Sequence, residues 1–457
     1  MKKKITYRTE KDSLGTVNVK KDALYGAQTQ RAVNNFQIGN DWFYPSFLQS
    51  LAMLKGACAI ANFKSKKINK KLAMAIFQCA NEINKNIHDY YEHFPAPLYQ
   101  TGSGTSINMN MNEVLANLVS KKLKQRVHPN DDINKSQSSN DVIPTTINIS
   151  CVRAAADLSR CFFYLDSKLK KRASEFKNII KSGRTHLMDA VPITMSQEIE
   201  TWRVLLQNSF STLVDAQEEV LILPIGGTAI GTGLNAPKGF DKKVCIELNK
   251  IYKTKFKPHS IKSAMISSQD HILNISSALL RVSSSITKIC NDLRWMNSGP
   301  ISGLSEITLK PLQPGSSIMP GKINPVQPEA ILMAMTRVNG NHQAISLACM
   351  SGSFQLNTML PIIGQNIIES LELITDSYLE LANTISEFTV NKENIKNNLE
   401  RNPIIATKLN EVIGYDLASK IVKEAYKTNE PIIDVAIRMT DLSRSQLIKL
   451  LDPKKLI

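Results

Sequence analysis

A seam of apolar residues between His271 and Trp295 limits what this chain can fold into more than any other feature of its sequence. Its members follow one another at spacings of 3, 4, 3, 4, 3 and 4 residues: Ile272, Ile275, Leu279, Val282, Ile286, Ile289 and Leu293. A heptad pattern sustained over this length predicts a helix more than ~30 Å long that packs against other helices. We therefore expect a mainly α protein.

Three other stretches carry apolar stripes at the same helical spacing. The stripes occupy residues 199–213, 363–385 and, after Pro144, 147–169. Several helices of roughly 25 residues or more, with little alternating strand pattern, predict an elongated bundle. Long apolar seams on more than one side also suggest helices that are shared between subunits.

The chain is expected to divide into three regions. Residues 1–136 are mixed, with short strands near residues 16–19; residues 137–391 form the long-helix bundle; residues 392–457 form a small C-terminal domain. A hydrophobic content of 42% over 457 residues allows a large core. No run approaches the ~20 apolar residues that span a bilayer, and the basic first residues lack the apolar core of a secretory signal. The sequence therefore predicts a cytoplasmic protein with no membrane partner.

Counts of cysteine, histidine and charge bear on cofactors and partners. The seven cysteines include no Cys-x-x-Cys pair and the seven histidines show no metal-ligand spacing, so we expect reduced structural thiols, no metal and no other cofactor. The net charge of +16 is compatible with nucleic-acid binding. The lysines are scattered without interleaved aromatic residues, which favours a solvated basic surface that attracts an anionic substrate. We therefore expect no nucleic-acid partner.

Five polar segments interrupt the helical background. In the first, residues 101–106 (TGSGTS) precede a helical run, where the unpaired N–H groups of a helix start can hold an anion. In the second, residues 128–132 (HPNDD) and 136–141 (SQSSND) also direct donors towards a helix start. Considered alone, each of these segments is better explained by ordinary helix capping.

The third and fourth segments are residues 183–189 (GRTHLMD) and 226–233 (GGTAIGTG). His186 is the natural candidate for general acid–base catalysis, because imidazole exchanges protons readily near neutrality, although a lone histidine is more often structural. The glycine-rich segment is predicted to follow a helix, with no strand–helix–strand unit around it, so we reject a dinucleotide site. We expect a glycine turn that lets backbones approach closely.

The fifth segment, residues 313–325 (QPGSSIMPGKINP), is poor material for a core and good material for holding a carboxylate. Glu329, four residues beyond it, could orient a histidine. The loop closely resembles the signature of the fumarase/aspartase superfamily, Gly-Ser-Ser-x-Met-Pro-x-Lys-x-Asn-Pro. The other four segments resemble the remaining blocks of that superfamily in the same order. The resemblance extends from residues 26–31 (GAQTQR) to at least residues 355–357 (QLN).

Two single residues and one short stretch distinguish class II fumarases from aspartases. His186 and Gly321 stand where aspartases have glutamine and alanine, and residues 101–105 read TGSGT where aspartases usually have AGAGT. The chain is therefore most similar to class II fumarases. The resemblance implies a metal-independent hydro-lyase that reversibly hydrates fumarate to (S)-malate, by anti addition through an aci-carboxylate intermediate. It also implies an extended homotetramer in which three subunits share each active site.

The resemblance assigns residues to the site, position by position. The expected substrate-binding residues are Ser103, Gly104, Thr105, Ser138, Ser139, Asn140, Thr185, Ser317, Lys322, Ile323 and Asn324. The expected catalytic residues are His186, Ser316 and Glu329, and those of a second dicarboxylate site are His128, Pro129, Asn130 and Asp131. The family has an arginine near this second site. It cannot be aligned with Arg126, because the stretch before His128 looks shorter than in most fumarases.

Two questions stay open from the sequence. Chemistry alone nominates His186 for proton transfer, with Glu329 raising its basicity. The resemblance instead assigns the C3 proton to Ser316 and places His186 at the leaving hydroxyl, acting through a water. The nearest alternative function is an ammonia-lyase of the aspartase type. A non-catalytic or nucleic-acid-binding role is less compatible with the polar residues His186, Ser316 and Lys322.

Overall fold

The computed structural model describes residues 6–455, and most of these residues are helical. The helices, in chain order, are α1 (Ala27–Asn35), α2 (Pro45–Lys64), α3 (Lys70–Lys85), α4 (Ile87–Tyr90), α5 (Thr105–Leu123), α6 (Ser139–Glu175), α7 (Met195–Gln217), α8 (Phe240–Tyr252), α9 (Lys262–Ser267), α10 (Asp270–Met296), α11 (Val326–Cys349), α12 (Leu360–Glu387), α13 (Lys392–Arg401), α14 (Asn410–Ile413), α15 (Tyr415–Thr428), α16 (Ile432–Met439) and α17 (Arg444–Leu450). The prediction of a mainly α protein is confirmed.

The strands in the described residues are short and pair two by two. They are β1 (Tyr7–Asp12), β2 (Gly15–Lys20), β3 (Ile180–Thr185), β4 (Met188–Thr194), β5 (Ile222–Leu223), β6 (Lys257–Pro258), β7 (Ile307–Thr308), β8 (Gly352–Ser353), β9 (Leu356–Asn357) and β10 (Thr389–Val390). The pairs β1–β2, β3–β4, β7–β10 and β8–β9 are antiparallel, and β5–β6 is parallel. The strand expected near residues 16–19 is β2.

Helix α10 forms where the heptad seam predicts a long helix. All of the seam residues, from Ile272 to Leu293, are 0% exposed. Full burial of such a side chain typically stabilises a fold by about 1.5–3 kcal/mol relative to leaving it in water. The seam is therefore a major source of stability. Its residues are spaced by 3 and 4 because they all lie on the one face of the helix that is buried.

The other three stripes also lie on helices, α7, α12 and α6. Helix α6 differs from the prediction, because it begins at Ser139 and contains Pro144 instead of following it. Proline is tolerated near a helix start, where its missing N–H removes a single helical bond, here to the carbonyl of Asn140. The prediction that this helix starts after Pro144 is therefore wrong by more than one turn.

The chain divides into two compact units, each built from three stretches. Unit 1 comprises residues up to 159, 210–283 and 336–375. Unit 2 comprises residues 160–209, 284–335 and the chain from 376 onwards. The three-region division that the sequence suggests stays a prediction.

Each unit carries its own polar segments. Residues 101–106, 128–141 and 226–233 belong to unit 1, and residues 183–189 and 313–325 belong to unit 2. The thiols of six cysteines are free: Cys58, Cys79, Cys151, Cys245, Cys290 and Cys349. Across the described part of the chain, no helix is both long enough and apolar enough to cross a membrane.

Candidate active site

The first polar segment forms a tight loop at the start of α5, in unit 1. Gly104 precedes the helix with a φ of +72°, a conformation that glycine adopts without strain. The hydroxyl oxygens of Ser103 and Thr105 lie 2.8 Å apart. One hydroxyl hydrogen joins the pair and the other is left to donate outwards. The backbone N–H groups of Ser106 and Ile107 already donate to Oγ1 of Thr101 at 3.3 Å and to Oε1 of Gln100 at 2.8 Å. The pair of hydroxyl groups is therefore the part of this loop that can receive a carboxylate.

The loop is pressed against neighbouring backbone. The N–H of Leu360 donates to the carbonyl of Gly102 at 3.1 Å. A Cβ atom at position 102 would lie 1.8 Å from the carbonyl oxygen of Thr358, and one at position 104 would lie 2.9 Å from Cγ1 of Ile143. Both positions therefore require glycine, which fixes Ser103 between them.

The second polar segment enters α6 beside this loop. Ser139, the first residue of the helix, is buried, and its Oγ accepts a hydrogen bond from Nδ2 of Asn108 at 2.9 Å. The hydroxyl hydrogen of Ser139 is therefore left to donate to another group. Asn140 donates one amide hydrogen to the carbonyl of Ala229 at 2.8 Å and keeps the second. Donors from α5 and α6 thus come together within unit 1.

Asp141 fixes the start of α6 to the glycine-rich turn of the fourth polar segment. Its buried carboxylate accepts the backbone N–H groups of Ser138 at 2.9 Å, Gly226 at 2.9 Å and Thr228 at 2.8 Å. Burial raises the pKa of this carboxyl to about 6, although the three N–H groups oppose the rise. Hydrogen bonds to an ionised acceptor are stronger than neutral ones, so Asp141 holds the two segments firmly together.

The surroundings of the glycine-rich turn differ from the prediction. Strand β5 precedes the turn, α8 follows it and β5 pairs in parallel with β6, so a small strand–helix–strand unit does surround it. The prediction is wrong because strands of two residues are too short to show an alternating pattern. Helix α8 begins at Phe240, well beyond Gly233, so the turn does not open a helix as a dinucleotide fingerprint does. A Cβ atom at Gly231 would lie 2.3 Å from the nitrogen of Ser263, which confirms the close backbone approach.

The residues of the candidate second dicarboxylate site form a separate turn in unit 1. Pro129–Ile133 adopt a short π-helical turn. The backbone N–H of Asp131 donates to Nδ1 of His128 at 3.1 Å, and the backbone N–H of His128 donates to Oδ2 of Asp132 at 2.8 Å. This exchange fixes the imidazole ring and leaves its Nε2 available to a ligand.

A cavity of about 810 Å³ opens beside this turn. Arg126 reaches the same cavity as His128, although the sequence does not register it there. Asp131 is exposed and does not line the cavity. The other lining residues include three cations, three carboxylates and two uncharged residues. These are Lys11, Lys121 and Lys124, then Glu10, Asp12 and Glu113, and finally Pro129 and Asn130.

In unit 2, His186 lies at the tip of the hairpin formed by β3 and β4. Pairing of Thr185 with Met188 leaves His186 and Leu187 as a two-residue turn, and their φ angles are +57° and +61°. Residues other than glycine in this region cost roughly 1–3 kcal/mol each and persist only where the surrounding structure imposes them. His186 is exposed, and its ring makes no hydrogen bond with the residues described. The imidazole is therefore presented outwards at an energetic cost.

A buried charge cluster holds that hairpin. The carboxylate of Glu306 lies 2.7 Å from Nη1 of Arg184 and 2.6 Å from Nζ of Lys181, both on β3. Lys181 also pairs with Glu198 on α7. The side chains of Lys181 and Glu306 are each 3% exposed, so solvent ions screen this pair little. The strand that carries His186 is thereby anchored to the rest of unit 2.

The fifth polar segment is closed by its own backbone. The N–H of Gly315 donates to the carbonyl of Lys322 at 2.9 Å, and Nδ2 of Asn324 donates to the carbonyl of Gly315 at 2.9 Å. Gly321 has a φ of +79° and an open space beside it, so the backbone conformation, and not crowding, favours glycine there. The side chain of Lys322 is left exposed at the loop surface.

Ser316 has distinctive surroundings within this loop. Its Oγ accepts the backbone N–H groups of Ile318 and Met319, both at 3.2 Å. Two fixed donors at one hydroxyl oxygen favour negative charge on that oxygen. Ser317, the next residue, is exposed beside it. The loop therefore supplies both a hydroxyl suited to lose its proton and further donors for an anion.

A cavity of about 840 Å³ in unit 2 has the second half of this loop as one wall. Glu329, in the first turn of α11, lines it. None of the described residues that line it is a histidine, and in residues 6–455 no hydrogen bond or ion pair joins residues 185–188 to this loop. The other polar lining residues are Asn291, Arg294, Asn297, Ser298, Ser305, Thr308, Lys322 and Asn324. Within one chain, Glu329 therefore does not orient His186.

Some residues that support these groups are not among those predicted from the sequence. Glu306 lies 122 positions from its partner Arg184, so no local pattern marks the cluster that includes Lys181. Lys55, buried in α2, is also missed, although a signal for it exists. It is the single charged residue in the apolar run at residues 51–61 (LAMLKGACAIA).

Comparison with known proteins decides the family. Residues 15–340 match the family described as Lyase, and residues 405–457 match the family described as Fumarase C C-terminus. A protein of Pseudomonas aeruginosa named fumarate hydratase class II 2 is 44% identical over 451 residues, which cover 98% of each chain. The chain belongs to the class II fumarases.

Other class II fumarases are similar over the same length. The fumarate hydratase class II of Xylella fastidiosa is 42% identical, covering 98% of this chain and 95% of its own. The class II fumarase structure from Schistosoma mansoni superposes with a TM-score of 0.93 at 36% identity, over 99% of both chains. A cobalt-bound fumarate lyase:delta crystallin from Brucella melitensis also gives a TM-score of 0.93 at 36% identity, over 98% of this chain and 99% of its own. The predicted class II fumarase fold is confirmed.

Proposed function

We propose that this class II fumarase reversibly hydrates fumarate to (S)-malate. Full-length relatives named fumarate hydratases support the assignment. The structural observation that carries it is the pair of backbone N–H groups that converge on Oγ of Ser316, at 3.2 Å each, in the loop that also bears Lys322 and Asn324. A hydroxyl in these surroundings can lose its proton, and the resulting alkoxide can act as a base beside a carboxylate, which is the chemistry that dehydration of malate requires.

Dehydration begins at C3 of malate, whose proton lies beside a carboxylate and is very weakly acidic. The Oγ atom of Ser316, which has already lost its own proton and reacts as an alkoxide, takes this proton and becomes a hydroxyl again. The electron pair moves onto the carboxylate, which becomes a doubly charged aci-carboxylate. Fixed donors aimed at such an oxyanion are typically worth ~3–4 kcal/mol each. The donors that we assign to the substrate carboxylates are the backbone around Gly104 and Ile323 and the side chains of Ser103, Thr105, Ser138, Ser139, Asn140, Thr185, Ser317, Lys322 and Asn324.

The second step removes the hydroxyl group from C2. The electron pair returns to form the C2–C3 double bond, the C2–O bond breaks, and the hydroxide receives a proton and leaves as water. We assign that proton to His186, acting through a bound water, on the opposite face from Ser316. Hydration of fumarate follows the same steps in reverse. In the alternative assignment His186 takes the C3 proton itself, with Glu329 from another subunit raising its basicity.

We further propose that the active site is assembled from three subunits of a homotetramer. The hairpin tip exposes Leu187 by 63% and Met188 by 70%, directly after the imidazole of His186. Large exposed apolar side chains of this kind mark interaction surfaces. The tip also makes no hydrogen bond or ion pair with the loop of Ser316 in the described part of one chain. An arrangement in which the tip enters a neighbouring subunit accounts for both features.

The turn at His128, Pro129, Asn130 and Asp131 is proposed as a second dicarboxylate site. Its support is the cavity that His128 shares with Arg126, Lys121 and Lys124. Cationic side chains around a concave surface raise the local concentration of anions. This site belongs to unit 1 alone and is distinct from the groups assigned to catalysis.

The reaction is tested by incubating the purified protein with fumarate, with and without ammonium, and following the fumarate absorbance together with the product. We expect fumarate to be consumed without ammonium and malate to appear. Consumption that depends on ammonium, with aspartate as the product, would instead establish the ammonia-lyase alternative.

The shared site is tested by mixing two inactive variants, His186→Asn and Ser316→Ala, in one tetramer. If the hairpin and the loop come from different subunits, random mixing regenerates intact sites in about a quarter of cases. No recovery of activity in tetramers shown to be mixed would contradict the three-subunit arrangement.

A further inference from the structure

Helix α2 contains a buried lysine that the proposed mechanism does not use. Lys55 is 0% exposed, and its amine forms no direct ion pair with a described carboxylate, although the charge of the buried Asp141 acts on it. Its Nζ atom donates to Oδ1 of Asn134 at 2.9 Å and to Oε1 of Gln137 at 3.0 Å. Lysine is almost never fully buried, since desolvation of its amine is costly. Its position here indicates a specific task for these two hydrogen bonds.

Asn134 and Gln137 form the turn that leads into α6. The N–H of Gln137 donates to the carbonyl of Asn134 at 3.1 Å, and its Nε2 donates to the carbonyl of Ile133 at 3.0 Å. Ser136 has a φ of +65°, which is unfavourable for a residue other than glycine. A second buried side chain of α2, Asn62, accepts the hydroxyl of Ser136 at 2.7 Å. The conformation of the turn is therefore imposed by α2.

A continuous chain of hydrogen bonds runs from this turn to Ser139. The Oδ1 atom of Asn134 that accepts from Lys55 also accepts from Nδ2 of Asn108, at 3.3 Å. The same Nδ2 atom donates to Oγ of Ser139 at 2.9 Å. The amine of Lys55 thus lies three hydrogen bonds from the hydroxyl that we assign to a substrate carboxylate.

We propose that Lys55 is a positioning residue, which sets Ser139 and Asn140 for the substrate carboxylate by holding the side chains of Asn134 and Gln137. The inference rests on the proposed function, because that function assigns Ser139 and Asn140 to the substrate. Burial lowers the pKa of Lys55 to about 7. Lysine suits the task, because a neutral amine and an ammonium both have enough N–H groups for the two amide oxygens.

The variant Lys55→Met keeps the length of the stem and removes both donors. Two buried amide oxygens are then left without a partner, and the turn relaxes. We expect the KM for fumarate to rise about tenfold or more while kcat changes by less than about threefold, because carboxylate binding is lost equally from the substrate and the transition state. Succinate, an unreactive four-carbon dicarboxylate, should lose affinity by a similar factor in calorimetry.

Two further variants separate positioning from general destabilisation. Ile76 in α3 is 0% exposed, so Ile76→Ala should lower the Tm by loss of packing but leave KM unchanged. Gln137→Met removes the amide oxygen that accepts from Nζ of Lys55, and it should also raise the KM for fumarate. The double variant Lys55→Met/Gln137→Met should raise KM little beyond Lys55→Met alone, since residues that act through one shared contact are not additive.

A KM for Lys55→Met within twofold of the Ile76→Ala value would overturn the proposal, as would independent, multiplicative effects in the double variant. If Lys55→Met does not fold, the KM of Gln137→Met tests the proposal instead. An unchanged KM in that variant contradicts the positioning role of Lys55. Wild-type protein that binds succinate but does not hydrate fumarate would instead contradict the proposed function. The succinate affinities of the variants would still test Lys55 in that case.

Discussion

The Oδ2 atom of Asp141 lies 2.8 Å from the backbone nitrogen of Thr228 and accepts its hydrogen. The preceding residue, Asn140, donates to the carbonyl of Ala229, also at 2.8 Å. Two adjacent residues of α6 therefore hold two adjacent residues of the glycine-rich turn, one as acceptor and one as donor. This pairing fixes the register between the helix start and the turn. It also fixes the direction of the second amide hydrogen of Asn140, which we assign to the substrate.

Replacement of His186 tests the role of the hairpin tip. We expect His186→Asn to lower kcat at least about a hundredfold, the scale of lost acid–base catalysis. Asparagine tolerates positive φ angles, so the turn should persist, and with it the tetramer that we propose, as measured by size-exclusion chromatography. His88→Asn, which changes an exposed histidine of α4, is the control and should keep full turnover. Near-normal turnover of His186→Asn would refute the assignment.

Replacement of Ser316 tests the identity of the base. Ser316→Ala leaves the N–H groups of Ile318 and Met319 in place but removes the oxygen that they stabilise, so we expect kcat to fall at least about a hundredfold. Steady-state kinetics in both reaction directions measure the effect. Ser167→Ala, at an exposed serine of α6, should be unaffected. If Ser316→Ala retains its turnover, the C3 proton belongs to His186 instead.

Removal of Glu306 tests the anchor of the hairpin. Glu306→Ala leaves the buried Lys181 with Glu198 as its remaining partner and deprives the half-buried Arg184 of its close carboxylate, which should reduce the free energy of unfolding by roughly 3 kcal/mol in urea denaturation. Glu411→Ala removes an exposed partner of Lys408 and should cost less than about 1 kcal/mol. Equal losses in the two variants would mean that the buried cluster contributes no special stability.

The second site is tested by replacing His128. We expect His128→Asn to leave the turnover of fumarate largely unchanged, because His128 lines a cavity that contains none of the groups assigned to catalysis. Kinetics at saturating fumarate provide the measurement. A collapse of turnover would show that the two sites have been assigned the wrong way round.

Stability should depend on pH through Lys55. Burial lowers the pKa of its amine from 10.5 to about 7, whereas an unfolded chain keeps the proton up to the higher value. Between these values the unfolded state binds more protons, so the contribution of this group to the free energy of unfolding rises with pH. Wild-type protein should therefore gain stability relative to Lys55→Met between about pH 7 and about pH 8.5 in urea denaturation. A difference that does not vary with pH would contradict the lowered pKa.

Local patterns predict much of the fold and the outward-facing groups of the site. The heptad spacing of Ile272 to Leu293 marks the buried face of α10 because each turn repeats the same contact. The loop around Ser316 and Lys322 is recognisable because its glycines, prolines and polar residues are contiguous. His186 is recognisable for the same reason, because it lies in the contiguous polar segment of residues 183–189.

The contacts between the groups that hold the site in place could not be predicted in this way. Lys55 contacts Asn134 across 79 positions, and Arg184 contacts Glu306 across 122, so neither partner lies in a common motif. The strands on either side of the glycine-rich turn have two residues each, too few for a periodic signal. Short elements and long-range polar contacts become visible only when the chain is folded.

The packing of Gly102 restricts how the reaction could be redesigned. With the Thr358 carbonyl 1.8 Å from the place of a Cβ atom, no side chain fits there unless the backbone before α12 moves. Aspartase loops that read AGAGT instead of TGSGT differ at the positions of Thr101 and Ser103 and keep both glycines. A mutant library intended to exchange water for ammonia as the added nucleophile should therefore vary Thr101 and Ser103 in this stretch and leave Gly102 and Gly104 untouched.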